Sequence, residues 1–388
     1  MARPQLGVAG ALAAVVAVVA VVVRSGARSG SSLRGARISA RERLTRWAAA
    51  RLVSYRRIDQ HDRVPPFPKP SFSYDYNVET QIAALRRWRD KRKVPRRAQD
   101  RLLIATWNVA NLGHPGQQRS GDDYSLIAEL ASWFDLITIQ EVNDNLSGLR
   151  TLEDKLPGNH RVLVSDAAGN DERIAFVYDP DTIEFRGKVG EIAIPPSESR
   201  YIQLPRIEQK FAGFDRNPYL AAFKAGGLEF LLVSVHLYFG SEKGAASKRD
   251  MNRRSLETYA VARWADLRRR SANAFTRNII ALGDFNMPKA DPGDPIYTAL
   301  TRRGLQLPDH STEMGSSIRK DRHYDQLAFF PPGESLHALV KASEVFDFDG
   351  ALFRSLWGNP SRTDDDYFAY MRYHISDHRL LWAELALQ

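Results

Sequence analysis

The feature that most restricts the fold of this chain is the succession of short apolar runs that begins at Arg101. Eight of these runs are predicted to be β-strands because each is short and is bounded by turn residues; they span residues 102–113, 136–142, 173–180, 219–225, 228–240, 278–286, 323–330 and 377–387. Two stretches with helical spacing of apolar residues, 125–134 and 251–270, are predicted to be helices. This pattern predicts an α/β fold, a four-layer α/β/β/α sandwich of two mixed sheets flanked by helices.

Polar side chains stand at the borders of several predicted strands. In the run 278–286, Gly283 is followed by Asp284 and Asn286, which share one face of an extended chain because residues i and i+2 point the same way. An open α/β sheet places its ligand site at such strand ends. The other polar residues at run borders are Asn108, Glu141, His236, Asp325, Asp377 and His378.

The types of side chain in this set indicate a chemistry. Any one of them has an ordinary structural explanation, such as a turn or a hydrogen-bonded core histidine, but chance does not place so many at strand ends. The chain has no cysteine, and carboxylate and amide oxygens suit a hard cation such as Mg²⁺ or Mn²⁺. Such a cation neutralises a phosphate while a base activates water. The set therefore predicts metal-assisted cleavage of a phosphate ester.

Six motifs carry a resemblance to a known family. TWNVANLG, IQEV, SVHL, ALGDFN, YDQLAF and ISDHRLL occur in this order, and with them the whole of residues 101–388 resembles the endonuclease/exonuclease/phosphatase superfamily. The resemblance implies a catalytic domain over 101–388 in which Glu141 holds the metal, with Asn108 and Asp377 close to it. It also implies that Asp284 and Asn286 orient the phosphate and the attacking water.

The same resemblance implies roles for two histidines. His236 and His378 would flank the scissile phosphate, and Asp325 would pair with His378 and raise its basicity. Within the superfamily, GNDERIAFVYDP (169–180) and DRNPYLAAF (215–223) are similar to segments of the pancreatic-type deoxyribonucleases. That similarity implies that Glu172 partners His236 and that Arg216 contacts the phosphate of the substrate.

The resemblance to those nucleases is incomplete. Ala110 and Asn143 stand where that group has arginines that reach into the minor groove of DNA. The sequence predicts a metal-dependent phosphodiesterase and favours a nuclease, with nucleic acid as the substrate and no obligate protein partner. Two alternatives are a membrane-proximal lipid phosphodiesterase or phosphatase, sphingomyelinase-like or acting on phosphoinositides, and a non-catalytic binding module.

The net charge of +9 is unevenly distributed along the chain. Residues 24–100 contain 20 Lys and Arg against 7 Asp and Glu, a net +13, whereas residues 101–388 contain 34 against 39, a net −5. Basicity thus belongs to a helical arm, residues 24–100, which the proline-rich stretch 64–70 interrupts. Its helices could lie on an anionic membrane surface, pack on the domain or bind nucleic acid, and Trp47 and Trp88 favour the membrane.

An apolar segment precedes the arm. Residues 7–23 carry no charge over 17 positions, which predicts that residues 1–23 form a hydrophobic anchor or signal-like segment. The arginines on its C-terminal side outnumber Arg3 on the other, and this bias predicts membrane association with the catalytic domain on the cytoplasmic side. A secreted or extracytoplasmic protein is the alternative if the segment is a signal peptide.

Overall fold

A computed structural model of the chain describes residues 67–309, 314–319, 321–330 and 340–387. Its strands are β1 Arg101–Leu112, β2 Leu136–Asn143, β3 Arg161–Val164, β4 Glu172–Tyr178, β5 Glu184–Glu191, β6 Tyr219–Ala225, β7 Leu228–His236, β8 Ile279–Asp284, β9 Asp325–Phe329, β10 Val340–Phe346 and β11 Leu380–Ala386. Its helices are α1 Val78–Lys91, α2 Gly121–Ala131, α3 Ser147–Lys155, α4 Pro196–Ser199, α5 Ser247–Arg270, α6 Pro295–Thr301, α7 Arg354–Trp357 and α8 Asp364–His374.

The strands form two mixed sheets. One sheet has the order β10-β11-β1-β2-β4-β3 and the other has the order β5-β6-β7-β8-β9. The pairs β1–β2 and β7–β8 are parallel, and the remaining pairs are antiparallel. The two parallel pairs lie in the middle of their sheets. Each sheet therefore has two neighbouring central strands whose carboxyl ends lie on the same side of the sheet.

Successive side chains of each strand point to opposite faces of its sheet and so pack into different core layers. In β1, Leu103 and Trp107 belong to the core between the first sheet and its helices, whereas Leu102 and Ile104 belong to the core between the two sheets, as the period of two in a strand requires. A third core packs α5 and α6 on the outer face of the second sheet. Helix, sheet, sheet and helix thus form four layers, which confirms the predicted fold.

The second half of the basic arm packs against the domain. Helix α1 buries Leu85 in the core of the first sheet, and Trp88 donates a hydrogen bond from Nε1 to Asp347 Oδ1 at 2.9 Å. Arg92 pairs with the same carboxylate, its Nε lying 2.7 Å from Oδ1. Because Trp88 and Arg92 contact the domain in this way, the predicted partner, an anionic membrane surface, is not supported. The predicted helix before the prolines, with Trp47, lies outside the described residues.

The predicted membrane localisation is contradicted. Over the described ranges, no helix combines the length and the apolar character needed to cross a bilayer. The longest of them, α5, has 24 residues and carries basic and acidic side chains along its whole length. The segment 7–23, on which the prediction of an anchor rested, lies outside the described residues.

Candidate active site

The cleft that contains the predicted site lies where the parallel strands end. It has a volume of about 690 Å³, and its lining includes Glu141 from β2, His236 from β7, Asp284 from β8 and His378 just before β11. Strand β1 supplies Asn108, which reaches both Glu141 and Asp284. The carboxyl ends of four parallel-paired strands from two sheets therefore meet at one cleft, as is usual for ligand sites in α/β folds.

Backbone irregularities turn Asn108 and Glu141 toward this cleft. The register of β1 against β2 shifts between Asn108 and Leu112, and Glu141 has a φ of 59°, in the left-handed region that few non-glycine residues adopt. The Asn108 amide donates from Nδ2 to Glu141 Oε1 at 2.7 Å and lies 3.2 Å from Asp284 Oδ2. The backbone N–H of Asn111 donates to Glu141 Oε2 at 2.9 Å. Asn108 thus bridges acidic groups of the two sheets.

His236, at the end of β7, is buried beside a carboxylate. Its Nδ1 lies 3.0 Å from Glu172 Oε2, although the angles of this contact are not those of a hydrogen bond. Arg216 donates from Nε to the carbonyl oxygen of His236 at 2.9 Å and from Nη2 to that of Leu237 at 3.1 Å. Glu172 therefore lies beside His236 as the predicted pairing requires, whereas the predicted contact of Arg216 with the phosphate of the substrate stays a prediction.

His378 is held by Asp325 across the two sheets. Its Nδ1 lies 2.7 Å from Asp325 Oδ2, and its own backbone N–H donates to Ser376 Oγ at 2.9 Å. Trp107 donates from Nε1 to the carbonyl oxygen of His378 at 2.8 Å. With the imidazole fixed through Nδ1 and the backbone fixed at two points, Nε2 is left to face the cleft.

A glycine permits the close approach of β8 to β7. Gly283 has a φ of 132°, and a Cβ atom there would lie 2.2 Å from the carbonyl oxygen of Val235. The turn that follows is closed by the backbone N–H of Asn286, which donates to Asp284 Oδ1 at 2.8 Å. Asn286 also donates from Nδ2 to the Leu237 carbonyl oxygen at 2.8 Å. The predicted projection of Asp284 and Asn286 from a strand end is therefore observed, with both side chains lining the cleft.

The two histidines approach the same carboxylate. His236 Nε2 lies 3.7 Å and His378 Nε2 lies 4.0 Å from Asp284 Oδ2, and His236 Nε2 lies 3.9 Å from Glu141 Oε1. Residues that are far apart in the sequence thus present two imidazole nitrogens and two carboxylates to one small volume.

Burial and neighbouring charges shift the pKa values of these groups. Burial, followed by the field of Arg216, lowers the pKa of His236 to about 4. Burial acts to lower the pKa of His378, but the charge and hydrogen bond of Asp325 together with the charges of Asp284 and Asp377 outweigh it and raise that pKa well above the usual range. Burial raises the pKa of Glu172 to about 7, and burial together with the charge of Glu172 raises the pKa of Glu141. The two imidazoles therefore differ in charge near neutral pH.

The acidic groups fit a divalent cation. Glu141, Glu172 and His236 bring ligand atoms within 4.8 Å of one another, and so do Asp284, Asp325 and His378. Glu172 Oε2 and Asp325 Oδ1 are buried without a hydrogen-bond partner, which is costly unless a further group satisfies them. Oxygen donors without cysteine match the preference of hard cations.

Two predicted metal neighbours make other contacts. Asp377 lines the cleft, but its Oδ2 lies 3.1 Å from Arg372 Nε. Asn108 accepts the backbone N–H of Ala110 on Oδ1 at 3.0 Å and turns its NH₂ group to the carboxylates. Their roles toward a metal, like the role of Glu141 as its main ligand, stay predictions.

Sequence reasoning missed a partly buried cation that supports the site. Arg119 donates hydrogen bonds to backbone carbonyl oxygens of Val109, Ala110 and Asn111 at the end of β1 and of His374 and Ile375 before His378, over 2.8–3.5 Å. Burial lowers its pKa. Arg119 thus joins the chain after Asn108 to the chain before Asp377 and His378. No periodicity or motif in the sequence marked it, because its partners are backbone atoms.

Comparison with known proteins yields one sequence relative and several structural ones. No family model matches the chain. A deoxyribonuclease of Thioalkalivibrio sp. (strain K90mix) is 30% identical over 200 residues, which cover 50% of this chain and 48% of the relative. The chain therefore spans about half the length of the curated relative that it matches.

Solved structures with a similar chain course include the following three. A mannosyl-6-phosphatase of Bacteroides thetaiotaomicron is 20% identical, with a TM-score of 0.48 over 74% of this chain and 100% of that chain. An endonuclease/exonuclease/phosphatase family protein of the same organism is 19% identical, with a TM-score of 0.48 over 74% and 98%. The catalytic domain of human Nocturnin is 14% identical, with a TM-score of 0.47 over 74% and 94%.

The sequence match agrees with the prediction made from the motifs. The relative is named a deoxyribonuclease, and residues from all six motifs of this chain meet at the cleft or directly behind it. The predicted resemblance is therefore confirmed.

Proposed function

We propose that this chain, which has the fold and the motifs of the endonuclease/exonuclease/phosphatase superfamily, is a divalent-metal-dependent phosphodiesterase that cleaves nucleic acid. The observation that carries the proposal is the approach of two histidines, each with Nδ1 near a carboxylate, to Asp284 beside Glu141. When water displaces an ester oxygen at phosphorus, the water oxygen loses a proton and the ester oxygen gains one. Two imidazole nitrogens close together can accept the first proton and donate the second.

Glu141 is the residue we expect to hold the cation, with Asn108 and Asp377 near it. Its carboxylate is oriented by the Asn108 amide and by a backbone N–H, and such support fixes a ligand in place. When bound, a cation such as Mg²⁺ or Mn²⁺ neutralises phosphate charge and stabilises the leaving oxygen. The carboxylates of Asp284 and Asp325, which lie together beside His378, add negative potential that favours a cation in the cleft.

The protein's own residues position the reacting groups. His236 and His378 each have Nδ1 beside a carboxylate, which leaves Nε2 of one to accept the proton of the attacking water and Nε2 of the other to hydrogen-bond or protonate an ester oxygen. The new bond joins the water oxygen to phosphorus, and the ester P–O bond breaks. We assign Asp284 and Asn286 to orienting water and phosphate, and Arg216 to contact with the phosphate.

The proposed substrate class is supported by the sequence relative. That protein is named a deoxyribonuclease, and its similarity to this chain covers 200 residues. A phosphodiester between nucleotides supplies both the phosphate and the leaving oxygen that the site is arranged to serve.

The test is Glu141→Gln in the full chain, assayed on supercoiled plasmid and on a labelled oligonucleotide with Mg²⁺ or Mn²⁺. The substitution keeps the shape of the side chain but removes its charge, so kcat should fall by about 10²-fold or more. Glu153→Gln, an exposed glutamate in α3, is the matched control and should retain wild-type turnover. Equal turnover of Glu141→Gln and wild type, or wild-type turnover that EDTA leaves unchanged, would refute the proposal.

A further inference from the structure

We infer that the cleft accepts an unpaired nucleotide whose base stacks on Phe239, so that single-stranded nucleic acid is the preferred substrate over a base-paired duplex. The inference rests on the proposed phosphodiesterase and specifies its substrate class. Two features of the cleft lining support it: aromatic side chains that a base can stack on, and arginines that already form ion pairs with carboxylates.

Phe239 is an exposed aromatic ring beside the reacting groups. It lies three residues after His236 and lines the same cleft as His236, Asp284 and His378. Its exposed fraction is 36%. The other large apolar side chains with this much exposure in the described ranges, Val189, Tyr201, Leu267 and Trp357, do not line the cleft. Isolated exposed apolar residues are common on proteins, so the location and support of Phe239 are what make it informative.

The ring of Phe239 is supported from behind. It contacts Tyr324 edge to face, with centroids 5.9 Å apart and planes at 84°, and the guanidinium carbon of Arg254 lies 5.5 Å from its centroid. Tyr324 is itself fixed, because its hydroxyl donates to Glu242 Oε1 at 2.9 Å. The Tyr324 ring in turn lies 5.7 Å from the imidazole of His378 at 31°. Flat side chains thus continue from a histidine of the site to the exposed ring.

A second group of flat side chains lines the cleft elsewhere. Phe67 and Phe368 both belong to the lining, and the guanidinium carbon of Arg372 lies 3.3 Å from the centroid of the Phe67 ring. Aromatic rings and guanidinium planes are the surfaces on which unstacked bases bind in single-stranded complexes. The cleft therefore offers stacking surfaces for nucleotides on more than one part of its wall.

The arginines in the described lining already have carboxylate partners and offer little free positive charge for binding a duplex. Duplex affinity comes chiefly from Lys and Arg side chains that neutralise phosphates. In the described lining each arginine is already paired with a carboxylate: Arg216 with Glu172 and Asp215, Arg319 with Asp365, and Arg372 with Asp377. These ion pairs compete with phosphate for the arginines whether the strand is paired or not, so base stacking is the contact that separates a single strand from a duplex. A base inside a duplex has both faces covered by its neighbours, so only an unpaired base can stack on Phe239.

The test compares three labelled substrates with the full-length protein and Mn²⁺: a single-stranded 12-mer, the same sequence as one strand of a duplex, and a 12-mer of abasic tetrahydrofuran residues. We expect kcat/KM for the single strand to exceed the values for the duplex and the abasic strand by about 10-fold, the size of one base–aromatic stack. Phe239→Ala should lower the ratio of single-strand to abasic kcat/KM by about 10-fold. Phe239→Trp, which keeps a stacking surface, should preserve the ratio.

Tyr201→Ala removes an exposed aromatic ring away from the cleft and is the matched control, with an unchanged ratio. A duplex cleaved faster than the single strand would overturn the inference, as would a Phe239→Ala variant that loses activity equally on the single strand and on the abasic strand. Those outcomes leave the phosphodiesterase in place. Failure of the wild type to cleave any of the three substrates would instead refute the proposed function and this inference with it.

Discussion

The pairing of Asp325 with His378 predicts a pH-dependent contribution to stability that one substitution removes. Asp325 is buried, His378 is partly buried, and the two groups lie 2.7 Å apart. Burial acts to lower the pKa of His378, but the charge and hydrogen bond of Asp325, aided by the charges of Asp284 and Asp377, raise it well above the usual value. Asp325→Asn keeps the size of the side chain but removes its charge. In that variant only the charges of Asp284 and Asp377 still oppose the effect of burial on His378, so its pKa should fall toward that of an exposed histidine.

The direction in which stability changes with pH follows from the number of protons that the folded and unfolded states bind. A histidine whose folded pKa is raised contributes stability that is fully present below its unfolded pKa of about 6.5 and that is lost as pH rises through the folded pKa. Over that interval the folded protein keeps a proton that the unfolded chain has released. The free energy of unfolding of the wild type should therefore fall by about 1.4 kcal/mol for each pH unit from this group. In Asp325→Asn this contribution should disappear.

The assay is urea unfolding of wild type, Asp325→Asn and His378→Gln in EDTA, at pH values from about 6.5 to about 8.5. The free-energy difference between the wild type and Asp325→Asn should shrink by about 1.4 kcal/mol per pH unit. His378→Gln, which has no titrating imidazole, should show the same shallow slope as Asp325→Asn. If Asp325→Asn instead keeps the wild-type slope, the carboxylate does not hold His378 in its charged form, and the reasoning about this pair is wrong.

Two further predictions concern the support of the site. Gly283→Ala should lower the free energy of unfolding by about 3 kcal/mol or more, because its Cβ would meet the Val235 carbonyl oxygen at 2.2 Å; Gly190→Ala, with open space around it, should change it by less than about 0.5 kcal/mol. Thermal unfolding of both variants measures this, and equal melting temperatures would contradict the steric argument. Arg119→Met should cost about 3 kcal/mol or more in urea unfolding, because it leaves several buried carbonyl oxygens without their donor. Arg87→Met, at an exposed position of α1, is the control, and a loss of similar size there would show that the effect is not specific to Arg119.

Three strands were not foreseen from the sequence, and each lies at or near a sheet edge. β5 and β3 end their sheets, and β10 ends the first sheet at its other side. β5 has the sequence EFRGKVGE, in which few residues are apolar, because much of the strand is exposed. An edge strand needs only one neighbour and buries less surface, so its sequence carries a weaker hydrophobic period than a central strand such as β7.

The basic arm shows that composition does not distinguish a helix that binds a membrane from one that packs on the domain. Its net positive charge and Trp88 favoured a membrane surface in the sequence, yet Trp88 and Arg92 meet Asp347 of the domain. A basic helix with an apolar stripe has the same pattern whether the stripe meets lipid or protein. Only the location of Asp347 and of the core around Leu85 decides between the two.

What the sequence by itself determined is the set of strands and the polar residues at their ends, because burial of a strand imposes an apolar run and a ligand site interrupts it. Asn108, Glu141, His236, Asp284 and His378 were all found in this way, and the structure brings them to one cleft. What only the tertiary structure decided is how closely these groups approach one another and in what charge state they stand. His378 faces Asp325 and His236 faces Glu172 across long sequence separations, and Arg119 reaches backbone atoms that no side-chain pattern encodes. Burial and Coulomb interactions depend on distances in space, so the opposite pKa shifts of the two histidines exist only once the sheets have packed together.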